Sequence, residues 1–167
     1  VRAVLAALPA RTPRLDWAGP ATHPAPAGAR VVLLAARRVD PRRAVDLVRH
    51  DVVHLPFVLD GSTATVGPVV APGITACLSC LDAGRRRDDP AWPLIAAQLL
   101  ARPRPDVDVA LAAEAARAAR HLLSGPIDSV TRSLHLRVDS LQRAWRTHRP
   151  SADCRCRSLA ELSLIHI

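Results

Sequence analysis

All four cysteines of this chain fall into two tight pairs, Cys77-Leu78-Ser79-Cys80 and Cys154-Arg155-Cys156, with residues 81–153 between them and none left over. A fold that uses the pairs together must carry the chain away and bring it back to the same end of the domain. Two close pairs on loops supply the four soft thiolates that tetrahedral Zn²⁺ takes at about 2.3 Å, and a closed four-sulfur site has no open coordination position, so it would be structural rather than catalytic. The spacing leaves other readings open: one or more disulfides, a redox-active CxxC, or unrelated buried thiols. A redox CxxC normally opens a helix in a βαβ context, whereas here Pro72-Gly73 precedes the pair and the Arg/Asp-rich run after it predicts a loop. The CxC spacing is a tighter bite than CxxC. Among the histidines, His54 falls at a strand start, His121 in an Ala-rich helix, and His148 close enough to the second pair to support its ligands from outside.

The rest of the composition sets what surrounds such a centre. With 167 residues, 49% apolar and 23% charged, the chain has core material for one domain that folds without staples. Its apolar stretches fall well short of the ~20 residues needed to span a bilayer, so no membrane partner is expected and the thiol usage points to the cytoplasm. One Phe, three Trp and no Tyr mean that Leu, Val and Ala must fill the interior, which predicts close-set Ala-rich packing. Every one of the 23 basic residues is Arg, giving a formal charge of +8. Nucleic-acid binding would need those arginines gathered on one element or interleaved with aromatics. They are instead spread along the chain, and the one dense run, Arg85-Arg86-Arg87, is followed at once by Asp88-Asp89. No nucleic-acid partner is expected.

Five prolines and two glycines in residues 9–30 mark a linker behind an N-terminal segment, Val1 to Leu8, that reads as truncated. Val31 to Ala36 predicts a strand buried on both faces, and Asp40-Pro41 starts a helix, with Asp40 as cap and Pro41 at its first position. His54 to Leu59 is the next strand, and Thr63 to Val70 returns antiparallel with a break at Gly67-Pro68. A helix is expected from Asp89-Pro90 to Arg102, presenting Trp92, Ile95, Ala96 and Leu99. Another runs from an Asp106 cap to Gly125-Pro126 through Val107, Leu111, Ala115, Ala118 and Leu122. Val130 to Val138 and Leu141 to Arg146 predict a β-hairpin. Residues 158–167 form a tail, and residues 162–167 read as the translation of a sequencing adapter.

Val66-Gly67-Pro68-Val69-Val70-Ala71-Pro72-Gly73, Cys77-Leu78-Ser79-Cys80, Asp89-Pro90-Ala91-Trp92-Pro93 and Ala96-Ala97-Gln98-Leu99, followed by the late cysteine pair, resemble the C-terminal half of a ThiF-type, ubiquitin-activating-enzyme-like protein. The closest likeness is to the actinobacterial branch of bacteriocin or azole-peptide cyclodehydratase components, over residues 29–157. The resemblance implies an α/β, partly Rossmann-like ThiF-type fold with a structural zinc module and a C-terminal β-hairpin. It also implies a Gly-rich ATP loop upstream of Val1 and an Asp after a later strand that holds magnesium. This chain has no G-x-G-x-x-G, and the turn after Val31 to Ala36 reads Arg37-Arg38-Val39-Asp40. ATP and Mg²⁺ therefore belong, if anywhere, to the intact parent protein, and no catalytic or cofactor-binding residue is assigned here.

Three functions fit these expectations. The first is an auxiliary scaffold of ribosomal-peptide modification, held together by zinc at Cys77, Cys80, Cys154 and Cys156, that presents a precursor peptide to a YcaO-type partner enzyme; relatives of this kind generally form homodimers. The second is a piece of an active ATP-dependent adenylyltransferase of the ubiquitin-like-modifier-activating type. The third is a zinc-stabilised interaction domain related to neither.

Overall fold

The computed structural model describes residues 28–128, 130–152 and 154–157. The expected N-terminal segment, most of the Pro-rich linker and the C-terminal tail lie outside these residues. One mixed sheet organises the described residues, with its five strands in sequence order: β1 (Arg30–Ala36), β2 (Val53–Asp60), β3 (Thr63–Val66), β4 (Thr131–Arg137) and β5 (Gln142–His148). Only β1 and β2 are parallel, from Arg30 opposite Val53 to Ala36 opposite Leu59; every later pairing is antiparallel. The Rossmann-like part is thus a single βαβ unit.

Its helix, α1 (Pro41–Arg49), starts as the sequence predicts. The Asp40 carboxylate accepts from the Arg42 amide at 3.0 Å, and Pro41 occupies a first-turn position where its missing N–H leaves no bond unmade. The Asp60-Gly61 turn joins β2 to β3. Beyond β3 the chain passes Gly67, whose φ of +90° suits only glycine, and a Cβ here would lie 2.9 Å from the Arg132 carbonyl oxygen of β4. The Val66-Gly67-Pro68 sequence is therefore set by a close backbone approach. Val70 then returns to bond His54 in both directions, at 2.9 and 2.7 Å.

The excursion between β3 and β4 carries three helices: α2 (Leu78–Asp88), α3 (Trp92–Ala101) and α4 (Val109–Ser124). Helix α4 lays Leu111, Ala112, Ala115, Ala116 and Ala119 on Leu55, Phe57, Leu59, Ala64, Val66, Leu134 and Leu136, which meets the expected Ala-rich packing. Its C-terminal end is tied to β1 by the Arg30 guanidinium, which donates to the Leu123 carbonyl and places a cation where the helix dipole favours one.

Three boundaries differ from the sequence reading. Residues 78–88, expected as a loop, are helical, because contacts at the cysteine end and around Asp82 fix a segment with no apolar periodicity of its own. Helix α3 starts at Trp92 rather than Pro90, since Asp89 already ends α2 and its carboxylate accepts from the Ala91 amide at 2.9 Å. Asp108, not Asp106, caps α4, because its carboxylate reaches the Leu111 amide at 2.8 Å; Val107 consequently precedes the helix.

Candidate metal centre and the cavity beside it

Thr75 builds the approach to the first cysteine pair. It is buried, and its hydroxyl accepts from the Ala71 amide at 2.8 Å and donates to the Val69 carbonyl at 3.0 Å, which closes the loop ahead of Cys77. Cys77 takes the cap position of α2 without capping it, and Cys80 lies in the first turn, so both sulfurs stand at the positive end of a helix, where thiolate is favoured. The second pair follows β5: the Cys154 amide bonds the Ser151 carbonyl, and a 3₁₀ turn, Arg155–Arg157, carries Cys156.

The two pairs meet. Cys77 Sγ lies 3.8 Å from Cys80 Sγ and 3.6 Å from Cys154 Sγ, Cys80 Sγ lies 3.5 Å from Cys156 Sγ, and all four sulfurs fall within 4.8 Å of one another. A regular tetrahedron with sulfur arms of about 2.3 Å has edges of about 3.8 Å, so this donor set fits a zinc-sized ion. A disulfide needs about 2.05 Å, and none of the four cysteines is paired in that way. The Cys77 thiol, donating to Cys80, holds the Cys80 thiol far below its ordinary value, at about 4, with a further bond from the Ser151 amide at 3.4 Å. The same bond raises Cys77, and burial pushes Cys156 up to about 12. Cys80 is thus a ready thiolate, while Cys77 and Cys156 are thiols that a cation would have to deprotonate.

The helix that Cys77 opens removes the sequence-level objection to a redox pair. What separates the two readings is the approach of Cys154 and Cys156, which a two-cysteine redox centre does not call for. Val70 and Ala76 are buried with Cys77, Cys80 and Cys156, and Val48 and Leu81 pack around them.

The histidines stand apart from the sulfurs. His54 is buried, its Nδ1 2.9 Å from the Val52 carbonyl, and burial lowers its pKa. His121 is exposed in the last turn of α4. His148, expected near the second pair, turns its Nε2 to Ser133 Oγ at 2.7 Å instead; the same hydroxyl meets His135 Nε2 at 3.0 Å, and His135 Nδ1 lies 3.3 Å from Thr65 Oγ1. This polar chain belongs to the face of the sheet opposite α4.

Across from that chain, Asp82 of α2 accepts from both terminal nitrogens of Arg38, at 3.2 and 2.5 Å, from Arg85 at 3.3 Å and from the Trp92 indole at 3.1 Å. The Arg38 and Arg85 guanidiniums both lie against the Trp92 ring, 5.1 and 4.7 Å from its centroid. Sequence reasoning missed this group because it treated Arg85 as part of a neutralised loop; the i, i+3 spacing of Asp82 and Arg85 was its one available sign.

No family model matches the sequence, and no curated protein matches it. Among solved structures, the chain is similar to E. coli MccB, determined with MccA, with a TM-score of 0.54 and 17% identity, over 77% of this chain and 38% of that one. It shares the fold of that part of MccB. A heterocyclase determined with substrate and cofactor gives 0.52 at 16% identity, over 76% of this chain and 20% of that one. The E. coli microcin synthetase McbBCD complex gives 0.56 at 11% identity, over 75% and 52%. The chain therefore spans about two fifths of MccB and about half of the McbBCD chain it matches, and the ThiF-like resemblance read from the motifs is met at the level of the fold. Among the described residues, no helix is long and apolar enough to cross a membrane.

Proposed function

We propose that this chain is part of a ThiF-like component of ribosomal-peptide modification that presents a precursor peptide to a YcaO-type partner in the cytoplasm, with Cys77, Cys80, Cys154 and Cys156 holding a structural zinc in residues 31–157. The fold it shares with MccB and the heterocyclase supports the first half of this reading. The auxiliary role rests on one observation at the exit of β1. Where the family resemblance calls for a carboxylate to hold magnesium, the chain places Arg37 and Arg38, and the nearby Asp40 is spent capping α1. The carboxylates beside them are engaged too, Asp60 by Arg37 and Asp82 by Arg38, so this turn offers the cation that adenylation needs no free ligand.

Pyrophosphate exchange with the parent protein and ATP-Mg²⁺ tests the role. No exchange above the enzyme-free rate is expected, with or without peptide, together with retention of a precursor peptide by the parent protein in a binding assay. Peptide-dependent exchange would instead favour the adenylyltransferase reading. A parent that neither exchanges nor retains peptide would leave a zinc-stabilised interaction domain. Homodimerisation of the parent, checked by sedimentation, belongs to the same proposal.

A further inference from the structure

The polar face of the sheet and helices α2 and α3 border an open cavity of about 320 Å³, which has Cys80 at its edge and the other three sulfurs outside its lining. Its lining is strongly cationic: Arg37 and Arg38 from the turn after β1, Arg85 and Arg87 from α2, and Arg146 and Arg149 from the β5 side, against Asp82 and Asp88. Asp82 is already shared by two guanidiniums and an indole. Arg38 is the group that needs more. Its side chain is only 9% exposed, and its Nε is buried with no hydrogen-bond partner. An unmet buried donor on a charged group is costly, and native structures rarely leave one without a reason.

Two further observations point the same way. Arg37 sits at a φ of +60°, uncommon for a residue with a side chain, and is held there by its amide bond to the Leu59 carbonyl, its 2.6 Å contact with Asp60 and its Nε bond to the Pro103 carbonyl. On the opposite wall, His135 is pushed down to about 4, first by burial and then by Arg146, His148 and Arg85. The cavity walls thus carry six guanidiniums against two carboxylates.

We propose that this cavity is a binding site for one oxyanion group, a carboxylate or a phosphate borne on a small ligand or a peptide side chain, received by Arg38, Arg85 and Arg146 with the Ser133 hydroxyl behind them. Guanidiniums from three separate elements match an oxyanion approached from several sides, and Trp92 keeps two of them flat and pre-aligned. The cavity has room for the oxyanion and for part of the ligand that bears it. It goes beyond the scaffold reading and stands or falls separately from it.

The test is an NMR titration of the zinc-loaded, ¹⁵N-labelled chain at fixed ionic strength, following the Arg38 Nε–H and Trp92 indole signals. Inorganic phosphate and a short Asp/Glu-containing peptide are the two probes, with chloride as the reference. Saturable shifts at both signals are expected with at least one probe, and which probe saturates names the source of the oxyanion. Arg38→Gln and, independently, Arg146→Gln on the exposed strand β5 should each weaken binding at least tenfold, whereas Arg120→Gln on α4 should leave it unchanged. Arg146→Gln keeps the test decisive if Arg38→Gln does not fold. Shifts no larger than those from chloride, or equal affinity in the Arg146→Gln and unmodified chains, overturn the proposal.

Discussion

The two faces of the sheet are built from alternate residues of the same strands and do opposite things. On β4, Leu134 and Leu136 point into the helix α4 core, while Ser133 and His135 point into the Arg-lined cavity on the other side. The α4 face is ordinary apolar burial, filled with alanines where larger side chains are scarce. The α2 face has little apolar content and is organised by four sulfurs at one end of α2 and one shared carboxylate, Asp82, further along it. The difference teaches where stability and chemistry are separated in this fold: the first face can lose function-neutral methylenes in proportion, whereas the second should fail all at once when a single organising group is removed.

The largest test of that contrast on the apolar side is Phe57→Ala. Phe57 is fully buried under α4, and its truncation should cost about 3–5 kcal/mol in urea unfolding while leaving the metal content unchanged. Asp82→Ala attacks the other face. It strands two guanidiniums and the Trp92 indole, and with Arg38 and Asp82 both largely buried the loss should be about 3 kcal/mol, with a change in Trp92 fluorescence that Phe57→Ala does not share.

A smaller effect separates the faces by pH. His135 falls from its ordinary 6.5 to about 4 in the folded chain, so the unfolded chain binds more protons between those values. The stability this group contributes is complete above about 6.5 and declines as pH falls towards about 4. Denaturation midpoints followed over that window should fall more steeply for the native sequence than for His135→Asn, and parallel curves would remove His135 from the account. The smallest expected change lies on the α4 side, where Asp108→Ala should cost about 1 kcal/mol through the lost cap and Asp106→Ala almost nothing.

The same division governs how far the sequence could be read. Periodicity locates β1, α1, β2 and β4 because each buries apolar side chains, whereas β5, exposed along nearly all its length, is located by the Asp139-Ser140 turn before it; Asp40-Pro41 marks a helix start by local bonding alone. Helix α2 was illegible for the opposite reason: Leu78–Asp88 has Gly84 in its middle, three consecutive arginines at its end and no apolar stripe, so its conformation depends on partners distant in sequence. The cysteine pairs could be named as a unit from spacing, since no cysteine is left over. The Arg38–Asp82–Trp92–Arg85 group could not, because it joins the turn after β1 to two helices across an ion pair that no local pattern announces. The choice of Asp108 over Asp106 was likewise a matter of which carboxylate reaches an amide three residues on.

The central claim is that the α2 side of the sheet is held by one ion bound to four sulfurs, and the most direct measurement is metal stoichiometry by elemental analysis on chain purified under reducing conditions, paired with thiol titration. The account predicts close to one zinc per chain and thiols that react only after a chelator is added. It also predicts that Cys77→Ser and Cys154→Ser each release the metal and lower stability by several kcal/mol, since binding free energy at such a site is folding free energy. A metal-free chain with four freely titrating thiols, and cysteine variants as stable as the parent sequence, would contradict it.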